Sequence, residues 1–181
     1  MAGNTANAGR WASADVYVAP LGTTAPTTET GALDPAWKAL GLLDPSDGVV
    51  NALSESSSTL KAWGNITVEV VNSDFVETFK FTPVEDNDTV FGLVYEGSAT
   101  PTVATGTETR VAKAPQRVSQ AWLIELRNGS KTKRIVIPKA KISDVGDRNF
   151  NETDLSKTQI TVTVEAAADG TLHNEIQTAS V

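Results

Sequence analysis

LKAWGNITVEVVNSDFVETFKFTPVEDNDTVFGLVYEG, residues 60–97, carries the strongest periodic signals in the chain. From Asn65 to Val71 the apolar side chains fall at Ile66, Val68 and Val70, with Thr67 and Glu69 between them. A period of two gives a strand with one apolar and one polar face. Asn72-Ser73-Asp74 are turn formers, whose side chains hydrogen-bond their own backbone. The chain then returns with Phe75, Phe79 and Phe81 on one side and Val76, Thr78, Lys80 and Thr82 on the other, Glu77 being the one charge in the aromatic row. The pattern predicts a long hairpin over 65–82. Beyond Pro83, Asp86 or Asp88 is placed to cap a helix over about 86–95, with Val90, Phe91 and Val94 as its apolar stripe and Gly97 as its end. So short a helix must lie on a sheet.

The chain has 181 residues, no cysteine and a net charge of −7. Its length suits one domain with a proper core. The acidic balance argues against a surface that grips nucleic acid throughout. Without cysteine, neither a disulfide framework nor a thiolate metal site can form. No basic start followed by an apolar run is visible at the N-terminus, and no stretch approaches the ~20 apolar residues of a membrane span. The expectation is a protein used without export or membrane insertion.

Outside the central stretch the signals are again β. Residues 1–34 read as a flexible N-terminal arm and Thr/Pro-rich linker, relieved by one short strand at ADVYVAP (14–20). Trp37, Leu40, Leu42 and Leu43 read as buried, Val49–Leu53 as a strand, and Ser54–Thr59 as a polar loop. SATPTVATGTETRVAKAP (98–115) reads as a strand kinked at Gly106. Asn128-Gly129 joins a strand over 116–127 to KTKRIVIP, which Pro138 should end or mark as an edge. Residues 139–157 then read as a connection anchored by Ile142, Val145 and Phe150, before the alternating strand ITVTVEA (160–166) and a short C-terminal strand. The fold class is mainly β, a β-sandwich or partial barrel with one short flanking α-helix, and residues 35–181 make a single domain.

Chemistry is sparse. His173, the one histidine, has no serine elbow to serve and reads as an exposed strand residue. There is no P-loop and no dinucleotide glycine pattern. Asp86-Asn87-Asp88 lacks the glycine and distal glutamate of a calcium loop. Four N-x-Ser/Thr matches, at Asn65, Asn87, Asn128 and Asn151, are what a Thr-rich chain yields by chance at turns. No catalytic, cofactor or metal residue is assigned, and no enzyme is expected. Charge is segregated instead. Residues 44–96 hold ten carboxylates against Lys61 and Lys80, whereas 110–141 hold nine Lys and Arg against Glu125 alone. These sectors are either solvated faces, or complementary patches meeting in a neighbouring copy, or, at 127–141, a nucleic-acid patch without aromatic interleaving.

The order WKALGLLDPSDGVV (37–50), LKAWG (60–64), ETFKFTPVEDN (77–87), VYEG (94–97) and ISDVGDRNF (142–150) before ITVTVEA resembles the major tail protein, or tail tube protein, of long-tailed (siphovirus-type) bacteriophages, notably those of actinobacterial hosts. The likeness spans about residues 35–168; its motifs are turns and aromatics rather than catalytic residues. It implies a virion structural protein, assembled in the host cytoplasm, whose subunits form hexameric rings stacked into a tube for DNA ejection. Each subunit then adds strands to an oligomeric β-barrel, and six subunits with ~4 strands each exceed the ~16–18 at which barrels already leave a channel. The implied partners are other copies of the chain, tape-measure and tail-terminator or tip proteins, and double-stranded DNA in transit without sequence-specific binding. Alternatives are another β-sandwich virion protein (tail completion or head decoration), a tube protein of a contractile injection machine, and a carbohydrate-binding β-sandwich module.

Under that resemblance Thr67, Glu69, Thr78 and Lys80 are candidates to line the channel, with Thr161, Thr163 and Glu165 behind them. A neutral to acidic wall is expected, Glu69 near Lys80 offsetting its charge, because a basic wall repeated around a ring would hold phosphates and stop DNA sliding. Trp11, Ser56, Lys61, Trp63, Arg127, Lys131, Lys133 and Arg134 are candidates for contacts between subunits or rings, the loop 54–63 and the N-terminal arm ordering only on stacking.

Overall fold

The computed structural model describes residues 9–178. Ten strands and one helix follow in chain order: β1 (Ser13–Ala19), β2 (Lys38–Ala39), β3 (Val50–Ala62), β4 (Ile66–Phe81), α1 (Asp88–Val94), β5 (Thr102–Ala104), β6 (Thr107–Thr109), β7 (Ser119–Asn128), β8 (Lys131–Val145), β9 (Ile160–Val164) and β10 (Asn174–Gln177). All but β5 and β6 form a single antiparallel sheet, ordered β2-β1-β7-β8-β9-β4-β3, with β10 also on β8. The mainly β class with one flanking helix is as the sequence indicates.

The sheet curls without closing. Trp122 on β7 and Phe81 on β4 are three strands apart in the order, about 14 Å in a flat sheet, yet their rings lie 5.5 Å apart. The enclosed face carries Val16, Val18, Ile124, Ile137, Ile142, Val162 and Phe79. Val90 and Leu93 of α1, together with Leu40, join that core. Asn87 caps the helix: its Oδ1 accepts from Val90 N at 2.9 Å while its Nδ2 donates to the Leu40 carbonyl at 2.9 Å. The cap is therefore neither Asp86 nor Asp88, and Leu93 replaces Val94 among the fully buried helix residues.

The opposite face is covered over β1, β7 and β8 only. Trp37, Leu123, Val136, Ala19 and Ala121 form a second cluster there. The segment 20–37 crosses it, with Trp37 Nε1 donating to the Thr24 carbonyl at 3.1 Å and Arg134 Nη1 to the Thr28 carbonyl at 2.7 Å. Residues 1–34 thus divide. Residues 1–8 of the expected arm lie outside the described residues, β1 is paired on both sides with Val16 fully buried, and 21–34 is a cover fastened by its backbone rather than a linker.

Several further expectations are corrected. β8 runs through Pro138 to Val145, because the register shift opposite Gln120–Trp122 leaves Pro138 outside the ladder and no N–H is needed there. Residues 139–145 are consequently strand, Phe150 is exposed rather than an anchor, and Leu42 is exposed rather than buried. Segment 98–115 forms the small hairpin β5–β6, turned by Thr105-Gly106 with φ 51° and 78°. His173 is half-buried, its Nδ1 3.1 Å from the Glu77 carboxylate and its ring edge-on to Phe79.

Asn87→Ala removes the cap and the tie to Leu40 together. A loss of about 1–2 kcal/mol is expected, read as a lower urea midpoint with unchanged slope.

Candidate functional site

Strands β3 and β4 pair along almost their whole length, from Val50 opposite Lys80 to Ala62 opposite Ile66. Only Thr78–Phe81 of β4 has a second partner, β9. The remainder is a two-stranded ribbon projecting from the body, in which every residue from Asn51 to Val76 is exposed. Its turn is Trp63-Gly64-Asn65, with φ 86° at Gly64 and 64° at Asn65, a left-handed pair that glycine and asparagine adopt at least cost. Trp63 at the tip is fully exposed, at 101%. Leu53, Leu60, Ile66, Val68 and Val70 are each more than half exposed.

This geometry replaces the hairpin expected over 65–82. Asn72-Ser73-Asp74 is not a turn: Asn72 and Ser73 stand opposite Ser57 and Ser56, and Asp74 (φ 58°) sits in a bulge. Ser54–Thr59 is likewise mid-strand rather than a loop. Glu69 and Lys80 face Leu60 and Val50, ten residues apart on β3, hence about 33 Å. They do not offset one another. A second register shift between Leu60 and Lys61 separates Thr67 from Glu69, so Thr67 falls on the other face.

The remaining channel candidates do come together. Thr78 is in register with Thr163 and Lys80 with Thr161, and β8 continues the rows with Lys141 opposite Thr163 and Asp144 opposite Thr161. They share the face that segment 20–37 leaves uncovered over β9 and β4. Glu165 is at its margin, accepting from Ser119 Oγ at 2.8 Å and paired with Lys139 at 3.0 Å, contacts that lower its carboxyl pKa. By register, Glu69 belongs to this face as well. Near the body, Lys80, Lys139 and Lys141 thus stand with Asp144 and Glu165, while Glu69 lies far out along the ribbon.

The contact candidates separate into two groups. Ser56, Lys61 and Trp63 are exposed on the ribbon, and Trp11 is exposed beside β1. Lys131 is exposed at the β7–β8 turn, opposite Asn128. Arg134, Arg127 and Lys133 each meet a carboxylate of their own chain. Arg134 is buried, its Nε donating to Glu125 Oε2 at 2.9 Å, so it is an internal tie rather than a contact residue. Arg127 donates to Glu125 at 2.6 Å and to Asp15 at 2.8 Å, and Lys133 pairs with Glu175 at 2.7 Å. Much of the acidic sector also meets its counter-charges inside the molecule: Arg110 reaches Asp86 and Asp88 at 2.9 and 2.8 Å, and Lys157 reaches Asp44 at 2.6 Å. Among the described residues no group of three potential ligands is arranged to hold a metal, and no helix is long and apolar enough to cross a membrane.

A curled β body with a long uncovered ribbon is the build of a subunit that associates through its strands. A profile of the phage tail tube protein family matches residues 1–179, and the chain belongs to that family, whose members are structural components of the virion tail. Several solved structures are similar to it. One is the PVC sheath–tube complex of an extracellular contractile injection system in its extended state, 10% identical, with TM-score 0.46, covering 92% of this chain and 88% of that one. Another is the PVC sheath/tube terminator of such a system in the extended state, also 10% identical with TM-score 0.46, covering 92% and 93%. A search of curated protein sequences returned no match.

The bond from Lys157, with Ser46 donating to the other oxygen at 2.8 Å, holds the Asp44 carboxyl far below its ordinary range. A depressed folded-state pKa stabilises the fold above the unfolded value of about 3.9 and is lost as pH falls through it. Asp44→Asn is expected to flatten the acid limb of a stability profile below about pH 4, measured by chemical unfolding across pH.

Proposed function

We propose that this chain polymerises into stacked hexameric rings forming the tail tube of a long-tailed phage, a channel for DNA ejection. The ribbon carries this reading. β3 ends the sheet order, so the outer backbone edge of all 13 of its residues has no partner within the sheet. An exposed edge of that length is an aggregation hazard unless a neighbour covers it. A two-stranded ribbon is also only marginally stable in water, so its cover must come from another molecule. At the opposite margin β2 pairs only two residues of β1. Two different margins joining give a heterologous contact, which closes into a ring if the rotation permits.

In such a ring the uncovered face of β9 and β4 turns toward the channel, with Thr78, Lys80, Thr161 and Thr163 on the wall. Threonines offer hydroxyls to water, Lys139 is paired with Glu165 and Asp144 stands in the same rows, so the wall carries little excess cation to hold phosphate. DNA then slides rather than binds. Tape-measure and terminator or tip proteins are the partners at the tube's interior and ends, and assembly takes place in the host cytoplasm.

Electron microscopy of the concentrated protein is expected to reveal hollow tubes of stacked rings. Replacing residues 56–73 by a two-residue turn is expected to leave a folded monomer that makes none; tubes from that variant refute the reading. Thr161→Lys with Thr163→Lys is expected to give tubes that retain nuclease-protected duplex DNA, released steeply as salt rises. Retention no greater than native places these residues away from the channel.

A further inference from the structure

The ribbon tip bears a fully exposed indole, Trp63, whereas Trp37 and Trp122 are buried and Trp11 is 39% exposed. Two residues before it is Lys61, whose Nζ donates to Asn65 Oδ1 at 2.9 Å across the turn and so is held at the tip. An apolar plate beside a cation is presented at the end of a long paired element. At the ribbon's root lies a cleft of about 510 Å³ with Trp11, Leu42 and Leu126 among its apolar walls and Asp15, Asp44 and Asp47 around it, the first two already paired with Arg127 and Lys157. No Lys or Arg is among the described residues lining it. Two other large clefts each include a lysine, Lys38 or Lys157.

We propose that Trp63 of one copy seats in this cleft of a second copy, with Lys61 facing Asp47, as the head-to-tail contact between successive rings. The inference rests on the tube reading above. Val49 lines the cleft and β3 starts at Val50, so plug and socket stand at opposite ends of one strand. They cannot meet within a chain. They meet when a second copy is displaced along the ribbon by its own length, on the order of 40 Å for 13 residues. A contact between unlike surfaces related by translation never closes, and it extends the assembly without limit. Large aromatic side chains entering desolvated pockets carry most of the energy of such contacts. The matching signs also fix which cleft is chosen.

The chain lacks cysteine, so paired substitutions report the contact cleanly. Full-length Ala62→Cys and Ala12→Cys chains, mixed at a concentration where native tubes grow and then oxidised, are expected to give a disulfide-linked dimer. Ala62→Cys with Ala36→Cys, in the cleft beside Lys38, is expected to give none. Trp63→Ala is expected to raise the concentration needed for tube growth at least about tenfold, while rings persist in micrographs. Lys61→Glu is expected to impair growth likewise, and Asp47→Lys in the same chain to restore it. Native tubes with no Ala62–Ala12 link, with the link at Ala36, or with undiminished growth of Trp63→Ala overturn the socket and leave the tube reading standing. A native chain that forms no tubes at any concentration overturns both.

Discussion

A long β-ribbon in water has two liabilities, an unpaired backbone edge and apolar side chains on both faces. The body is built to hold it out nonetheless. β4 is shared between the two regions: Phe79 and Phe81 are locked in the enclosed core, and the same strand continues outward through Val71, Val70 and Ile66, all exposed. The junction is fastened by Glu77, which is 2% exposed. Its two oxygens accept from Asn51 Nδ2 at 2.7 Å on β3 and face His173 Nδ1 at 3.1 Å from the C-terminal segment. A buried carboxylate is tolerated only when so satisfied, and here the satisfaction joins both ribbon strands to the body. The ribbon leaves at a fixed angle because its root is core.

The body has its own asymmetry. One face of the sheet is closed by curling and by α1, while the other is covered over β1, β7 and β8 but open over β9 and β4. Covering the first half takes the polar segment 20–37, which contributes carbonyls to Arg134 and Trp37 as much as apolar surface. Leaving the second half open is sustainable because its residues are threonines and paired or neighbouring charges, which need no cover. An open polar face and an open apolar-bearing edge in one molecule predispose it to associate edgewise and keep that face wet.

Legibility in the sequence followed local physics. Alternation in ITVTVEA, the Asn128-Gly129 turn, the buried Trp37 and Leu40, and a short helix after Pro83 were all readable, because each depends on a few adjacent residues. The hairpin of 65–82 failed for a specific reason: a bulged continuous strand and two strands joined by a turn share the same period of two. Asn72-Ser73-Asp74 has turn chemistry, yet pairing with Ser56–Ser58 outweighs it. The better signal was Gly64-Asn65, with SESSST on its N-terminal side hidden because a strand with both faces in water has no hydrophobic pattern to display. The cover segment 20–37 escaped because its anchors are backbone carbonyls, which every sequence has. Of the channel candidates, Thr78, Lys80, Thr161 and Thr163 share a face since β4 and β9 alternate regularly there; Thr67 does not, since the shift lies in register and not in composition.

The internal disposition of charge limits what can draw copies together. Segregated acidic and basic sectors invite an electrostatic account of assembly, yet Arg110, Arg127, Arg134, Lys133 and Lys157 already have carboxylate partners in their own chain. Recruiting them for a neighbour means breaking one ion pair to make another, which gains little for the exposed pairs, each contributing about 0–1 kcal/mol, and costs more for the buried Arg134–Glu125 pair. What the monomer leaves unsatisfied is of another kind: the hydrogen-bonding edge of β3 and the apolar side chains along the ribbon to Trp63. Backbone edges demand a partner strand in fixed register, and apolar surface supplies the free energy without direction. Their combination on one element gives both strength and alignment, with charge left to choose among otherwise similar clefts.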